Sequence, residues 1–188
     1  MNKFRLLKAN EISCRVNQIN EKGLTLLLYK DARVDMDILD ETVGCMNWKK
    51  EYTRDNRNCI VSIYDNEKKE WISKEDTGTE SNNEAEKGLA SDSFKRACVN
   101  WGIGRELYTA PFIWIDAKNV NMYENGKDKN GKTKYATKDS FRVTKIGYDE
   151  NRNIIGLSIK NQKDVRVYLF QPKEVKKEAK KDENNKQA

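Results

Sequence analysis

The stretch from Ser81 to Tyr108 constrains the fold of this chain more than any other part of its sequence. Ser81 and Glu84 have the spacing of a capping box, which predicts the start of a helix. Gly102 and Gly104 predict its end. Between these signals, apolar residues recur every three or four positions and form one helical stripe: Ala90, Phe94, Ala97, Cys98 and Trp101. The sequence therefore predicts a long helix that packs by an aromatic face.

Two neighbouring cations, Lys95 and Arg96, lie outside that apolar stripe. On a helical projection Lys95 flanks the stripe and Arg96 lies almost opposite to it, so neither charge has to be buried. A helix that shows such a pair to solvent suits a polyanionic partner. Residues four apart are neighbours on a helix, so Asp92 and Arg96 can also form an ordinary surface ion pair. Spacing alone favours this structural interpretation.

The composition indicates one core domain with appendages, because 188 residues suffice to bury a sizeable core. The net charge of +6 and the pI near 9.0 favour an anionic partner. Since 35% of the residues are charged, the clustering of cations matters more than their excess. Neither a membrane span nor a signal-peptide core is visible. We therefore expect no membrane partner and a cytoplasmic location, which is the host cytoplasm if a phage encodes the chain.

The reactive residue types narrow the possible chemistry. The chain has no histidine, which excludes the usual nucleophilic triads, histidine-ligated metals and a histidine general base. Magnesium chemistry that uses carboxylates alone remains open. The four cysteines lie far apart and predict small buried apolar groups in a reducing compartment, not disulfides or zinc ligands: Cys14, Cys45, Cys59 and Cys98.

The order of elements along the chain predicts an α+β domain with an antiparallel sheet. An amphipathic segment at 9–16 predicts a first helix, and the apolar run at 24–29 predicts a buried strand. A second helix is predicted over 31–44 with Asp31 as its N-cap. The remaining strands are predicted at 47–54, 59–64, 70–77, 112–115, 141–146, 154–159 and 165–170.

Residues Gly126 to Thr133 match the phosphate-binding loop pattern G-x-x-x-x-G-K-[ST] letter for letter. That loop works between a buried strand and a helix, and the flanking sequence predicts neither. The Asn-Gly pairs at 125–126 and 130–131 explain the same letters as a hairpin tip. Nucleotide hydrolysis is therefore a weak alternative.

A second enzymatic alternative is a magnesium-dependent nuclease built on Glu75, Asp76 and Glu80. A solvated strand end explains these carboxylates more simply. The four tryptophans are candidates for base stacking, but each lies in an apolar pattern that favours a core position for most of them: Trp48, Trp71, Trp101 and Trp114.

Basic residues concentrate at predicted turns and edges, and such cations bind a phosphate backbone with little sequence preference. They are Arg33, Arg54, Arg57, Lys68, Lys69, Lys127, Lys129, Lys132, Lys134 and Lys138. The pattern indicates a class of partner, a nucleic acid.

Three segments in sequence order resemble the Rad52 superfamily of single-strand annealing proteins, in particular the phage and prophage type. They read ARVDMDILDETVGCMNWKKEY, WISKEDTGTES and SDSFKRACVNWGIGRELYTAPFIWI, and together they cover about half of the chain. The preceding segment ANEISCRVNQINEKGLTLLLYKDA is also similar to the N-terminal region of the phage type.

The resemblance implies a β-β-β-α core, in which a curved antiparallel sheet packs on the long helix, and protomers that assemble into a ring. It further implies that a basic groove holds single-stranded DNA with its bases available to a complementary strand. Neither ATP nor a metal takes part. The implied partners are single-stranded DNA with its complement, further copies of the chain, and a phage exonuclease or a host single-strand binding protein.

The resemblance also assigns residues. Arg33 falls on a DNA-contacting arginine, Lys95 and Arg96 fall on a Lys-Arg pair that lines the inner groove, and Lys69 approximates an outer DNA site. Two positions depart from the family: Val99 replaces an arginine, and Cys45 replaces an aromatic residue. Arg54 and Arg105 are the residues expected to compensate for them.

We expect residues 1–171 to form the annealing domain, with a core at 24–115 and an additional β-hairpin region at 116–171. A disordered charged tail is expected at 172–188. The alternative to annealing is a passive protein that protects single-stranded DNA or DNA ends.

Overall fold

A computed structural model gives the structure of residues 4–79 and 85–171, in which the side chains of 85–87 are not described. Within these ranges the fold is mixed α+β, as predicted, with two α-helices and antiparallel curved sheets. The helices are α1 (Ala32–Val43) and α2 (Ala85–Asn100). Neither helix is long and apolar enough to cross a membrane.

The described ranges contain eleven strands. They are β1 (Ile12–Asn20), β2 (Gly23–Lys30), β3 (Trp48–Thr53), β4 (Asn58–Asp65), β5 (Glu70–Thr77), β6 (Ile113–Asp116), β7 (Met122–Lys127), β8 (Thr133–Thr137), β9 (Phe141–Tyr148), β10 (Ile154–Asn161) and β11 (Arg166–Phe170). Six of them form a sheet in the order β11-β10-β9-β1-β2-β6. A second sheet has the order β3-β4-β5, and β7 pairs with β8 alone.

The helix predicted at 9–16 is wrong. Ala9–Glu11 form one 3₁₀ turn, and the chain then enters β1. The apolar residues Ile12, Cys14 and Val16 alternate with polar ones, which is the period of a strand. β1 pairs antiparallel with β2 from Ile12 opposite Lys30 to Asn20 opposite Gly23. Pairing with β2 therefore decides the conformation of this short segment.

The apolar stripe of α2 is buried as predicted. Phe94, Ala97 and Cys98 are inaccessible to solvent, and α2 packs against β4 and β5. Trp101 Nε1 donates a hydrogen bond of 3.1 Å to the Val61 carbonyl, which fixes the end of the helix on β4. The helix ends at Asn100, before the two glycines that predicted its end. The capping box at Ser81 lies outside the described residues.

The other predicted elements are confirmed within a few residues of their bounds. In α1, Asp31 caps the helix by accepting a hydrogen bond of 2.8 Å from the Arg33 amide. The three predicted strands before α2 are β3, β4 and β5, and the predicted hairpin near the end of the fold is β9 and β10. The tail predicted at 172–188 lies outside the described residues.

One hydrophobic core joins the two larger sheets through both helices. On the paired strands β2 and β6, Leu24 lies opposite Ile115 and Leu26 lies opposite Ile113. All four residues are buried. This layer belongs to the same buried cluster as Ile38 and Leu39 of α1, Phe94 of α2 and Val61 of β4. The position of α2 relative to β2 is therefore set by shared packing.

Three of the four tryptophans are buried or half-buried, in agreement with the core position predicted for most of them. Trp101 is buried, and Trp48 and Trp114 are half-buried. The Trp48 ring stacks on Phe94 with their centroids 6.2 Å apart. Trp71 differs, since 42% of it is exposed and the Lys49 ammonium lies 5.2 Å from its ring centre.

All four cysteines are free thiols, but they do not share one environment. Cys59 and Cys98 are buried and Cys14 is half-buried, so burial raises the pKa of the Cys14 thiol to about 12 and that of Cys59 to about 11. Cys45 is exposed in the loop after α1, so its predicted burial is wrong. Its neighbour Met46 is also exposed, so none of the described elements covers Cys45 and Met46.

We expect one thiol of the native chain to react rapidly with a soluble disulfide reagent at neutral pH, because Cys45 is the exposed cysteine. Cys45→Ser should remove this fast phase and leave three thiols that react after denaturation. Absorbance of the released thiolate measures both phases. Two fast-reacting thiols in the native protein would contradict the shielding of Cys14, Cys59 and Cys98 from solvent.

Candidate nucleic-acid interface

A groove of about 330 Å³ lies between the end of β2 and helix α2, and we call it the basic groove. Its lining includes four cations, Arg15, Lys30, Lys95 and Arg96, with one carboxylate, Asp92. Tyr29 and Tyr108 form part of its wall, and both are exposed. The groove is thus rich in positive charge and bordered by aromatic rings.

The strand pairing explains why the groove lies at this end of β2. β6 pairs with β2 only from Gly23 to Leu26. The residues of β2 that line the groove, from Leu28 to Lys30, lie beyond the reach of β6. The second half of α2, from Asp92 to Val99, lines the opposite side together with Gly104 and Leu107.

Lys30 and Asp35 form a buried ion pair at the floor of the basic groove. Lys30 is 4% exposed, Asp35 is inaccessible, and the Lys30 ammonium donates a hydrogen bond to Asp35 Oδ1. The second oxygen, Oδ2, has no hydrogen-bond partner among the described residues. Burial raises the pKa of Asp35 to about 6, against the opposing attraction of Lys30 and Lys95. Lys95 therefore lies close enough to this pair to oppose the rise of the Asp35 pKa.

Gly104 makes room for the Lys30 side chain. Its φ of +71° lies in the left-handed region, which favours glycine. A Cβ added at Gly104 would lie 2.1 Å from Lys30 Cε, closer than any real contact. The glycine that ends the α2 pattern therefore also lets the lysine pass to Asp35.

The Lys-Arg pair of α2 lies in the groove, and the predicted Asp92–Arg96 ion pair does not form. Asp92 instead accepts hydrogen bonds from the Thr79 amide and hydroxyl, at 2.9 and 3.2 Å. Arg96 is exposed, with its Nε 3.4 Å from Asp76 Oδ1. An exposed pair of this length contributes little to stability. Arg96 is therefore available to an anionic ligand.

Arg33 lies outside the groove lining. It is exposed in the first turn of α1, two residues before the buried Asp35. Arg33 is therefore near the Lys30–Asp35 pair in sequence. It is not part of the groove lining that contains Lys95 and Arg96.

Arg54 and Lys69 lie at opposite ends of β4 and are not brought together. Both are exposed in turns, with φ of +52° and +59°. The turn that carries Arg54 contacts α2, because Ser93 Oγ donates a hydrogen bond to the Asn56 carbonyl. The Lys69 turn closes the β4–β5 hairpin at the other end.

Arg105 is an exposed residue that caps the end of α2. Its guanidinium donates hydrogen bonds of 2.8 Å to the Val99 carbonyl and 3.2 Å to the Asn100 carbonyl. These carbonyls belong to the last turn of the helix and have no helical donor. The residue therefore has a structural role in this conformation.

The prediction from sequence missed Arg15, an exposed residue that lines the basic groove together with Lys95 and Arg96. It was missed because its segment was predicted as a helix. In the correct strand, Arg15 alternates with the inward residues Cys14 and Val16. The period of two was the signal that identifies it as a surface cation.

The two departures from the family occupy different places. Val99 lies in the lining of the basic groove, one helical turn after Lys95. Cys45 is exposed after α1 and is not part of that lining. The position at which the resemblance expects a cation is therefore an apolar part of the groove lining.

The phosphate-loop letters form the tip of the β7–β8 hairpin, as predicted. The Asp128 carboxylate accepts hydrogen bonds from the amides of Asn130 and Lys132, at 2.8 and 2.9 Å. The Gly131 amide donates to the Asp128 carbonyl. Because these amides are engaged within the turn, they do not form a phosphate cradle.

The carboxylates considered for a nuclease point in different directions. Glu75 and Asp76 are successive residues of β5, so their side chains lie on opposite faces of the sheet. Glu75 accepts from Asn58 Nδ2 at 2.7 Å, and Asp76 faces Arg96. Glu80 lies outside the described residues. Within the described ranges no three potential ligands come together around a metal position.

Residues 58–129 match the family model described as Rad52/22 family double-strand break repair protein. The matched residues run from β4 through β5, α2 and β6 into the β7–β8 hairpin, and include Lys95 and Arg96. The match covers less than half of the chain and supports the Rad52 superfamily as its relative. None of the curated proteins and none of the solved structures matches it significantly.

Proposed function

We propose that the protein binds single-stranded DNA and anneals complementary strands without ATP, in homologous recombination or repair of the phage type. The observation that carries this proposal is the convergence of Lys95, Arg96 and Arg15 on one open groove. The match to a double-strand break repair family over the same helix supports it.

The groove suits a phosphate backbone better than a base. Its cations are point charges or guanidinium groups, which attract phosphates without reading sequence. Lys30 contributes less, because Asp35 neutralises it. A strand bound by its backbone keeps its base edges available for pairing. Holding two strands near each other then raises their effective concentration.

We propose different roles for the predicted DNA-binding residues. Lys95, Arg96 and Arg15 contact the backbone in the groove. Arg33 and Arg54, which are exposed on elements that pack near α2, extend the positive surface. Arg105 contributes its exposed charge while it caps α2, and Lys69 belongs to a separate outer surface.

We further propose that copies of the chain assemble into a ring or helical array in the bacterial or host cytoplasm. Assembly supplies many weak sites along one strand, so each protomer needs few cations, in keeping with the net charge of +6. A phage exonuclease or a host single-strand binding protein is the proposed partner that supplies or hands over the strand.

The test is the pairing rate of labelled complementary strands with mild secondary structure, measured by fluorescence energy transfer without nucleotide or metal. We expect the protein to accelerate pairing above the spontaneous rate, and the Lys95→Gln, Arg96→Gln double variant to lose this acceleration. No acceleration at any protein concentration would contradict the proposal.

A passive single-strand or DNA-end protecting protein is the second candidate. Val99 favours it, because an apolar residue in the groove lining makes the groove less basic. The same assay separates the two functions: a passive protein binds the strands tightly and slows their pairing.

A further inference from the structure

The β7–β8 hairpin carries a concentration of positive charge that the basic groove does not use. Residues 122–138 contain five lysines and two carboxylates, so half of the net charge of +6 lies in 17 residues. The lysines are all exposed: Lys127, Lys129, Lys132, Lys134 and Lys138.

The described carboxylates do not form ion pairs with these lysines. None of the five lysines forms a salt bridge in the ranges that the structure describes. The Asp128 carboxylate lies between these lysines in the sequence. Its Oδ1 accepts hydrogen bonds from the backbone amides of Asn130 and Lys132. Its pKa is lowered chiefly by these amide hydrogen bonds, so it stays ionised at neutral pH without pairing with a lysine.

The hairpin lies against the β1–β2 turn, which adds a sixth lysine. A cleft of about 200 Å³ lies between the hairpin and this turn. Its lining includes Lys22, Lys132, Thr133 and Tyr135. Glu21 is the one acidic residue in this lining. Together with Lys22, four of the five hairpin lysines form a surface that we call the hairpin patch: Lys22, Lys127, Lys129, Lys132 and Lys134.

The hairpin patch and the basic groove lie at opposite ends of the β1–β2 pair. Lys22 precedes β2, and Lys30 ends it at the groove. A strand of eight residues spans roughly 26 Å. At the base-stacked spacing of about 3.4 Å per phosphate this separation corresponds to about eight nucleotides, and an extended single strand covers it with fewer.

We propose that the hairpin patch is a second contact for the phosphodiester backbone of a nucleic acid strand whose other part lies in the basic groove. Flexible exposed lysines attract phosphates as point charges and read no sequence. The part of this proposal that places the same strand in the basic groove rests on the proposed function. The attraction of the patch for phosphate rests on the hairpin alone.

The test uses a variant with Lys127, Lys129, Lys132 and Lys134 all changed to Gln, and the salt dependence of its binding to single-stranded DNA. For an oligonucleotide of about 20 nucleotides, we expect the slope of log affinity against log salt to fall by up to about 2.8, at about 0.7 per lost contact. For an oligonucleotide of about 3 nucleotides, which is too short to reach both sites even when it is extended, we expect no change in this slope. The matched control changes the same four residues to Arg and should keep the slope of the wild type.

Two results would overturn the proposal. An unchanged slope with the long oligonucleotide would show that the patch makes no contact, and an equal loss with both lengths would show a general effect of net charge. The same four changes made in the Lys95→Gln, Arg96→Gln background separate this proposal from the proposed function. A further fall in slope there supports the patch even if the groove does not bind DNA, and thermal melting checks that each variant remains folded.

Discussion

The double variant Lys95→Gln, Arg96→Gln is expected to lose about two to four orders of magnitude in affinity for single-stranded DNA. Each of the two side chains is proposed to make a charge-assisted contact with a phosphate, and such contacts contribute about 1.5–3 kcal/mol each. The salt slope of binding should fall by about 1.4, because two phosphate contacts are removed. Fluorescence anisotropy of a labelled oligonucleotide over a salt series measures both quantities.

The same variant is expected to remain folded. Arg96 is exposed and lies 3.4 Å from Asp76, so losing that pair costs less than about 1 kcal/mol. A matched control exchanges the two residues, with Lys95→Arg and Arg96→Lys, and should retain most of the affinity. If the Gln variant unfolds, the pair is structural; if it binds as tightly as wild type, the groove is not the DNA site.

The Asp35→Ala variant is expected to lose about 3–5 kcal/mol of unfolding free energy. Its partner Lys30 is 4% exposed and would be left as an uncompensated charge in the interior. Gly104 packs against the Lys30 side chain, which limits its escape. Urea unfolding at neutral pH followed by tryptophan fluorescence measures the loss.

The control for this prediction removes both charges together, with Lys30→Met and Asp35→Leu. Apolar replacement of a buried pair is often neutral or stabilising, so the double variant should recover most of the stability. A loss of less than about 1 kcal/mol in Asp35→Ala would mean that Lys30 reaches water through the basic groove.

The sequence was sufficient to predict most elements, because their hydrophobic periods are regular. The stripe from Phe94 to Trp101 predicted both the helix and its buried face. The segment at 9–16 failed because a short amphipathic run fits two periods, and the pairing of β1 with β2 decides between them. Such a choice depends on residues distant in sequence.

The candidate site could be predicted only in part. Lys95 and Arg96 were identifiable because one helix determines which side they face. Arg15 reaches the same groove through sheet pairing, and the burial of Lys30 beside Asp35 depends on Gly104. These contacts bring together residues from β1, β2 and the end of α2, which are distant in sequence. A local sequence pattern therefore cannot predict them.

Residues Gly126 to Thr133 show how the same letters acquire a different structure. Gly131 lies in the turn with φ of +78°, and Gly126 lies at an irregularity of β7 with φ of +76°. Asp128 then binds the amides that a phosphate loop would offer to its ligand. The surrounding strand and helix, and not the motif itself, determine whether such a loop forms.

The central claim is that the basic groove holds a strand by its backbone and leaves its bases open. The structure of the protein bound to a single-stranded oligonucleotide tests this most directly. We predict phosphates within hydrogen-bond distance of Lys95 and Arg96, with the Watson–Crick edges facing solvent. An oligonucleotide bound away from these residues, or with its base edges packed against protein, would contradict the claim.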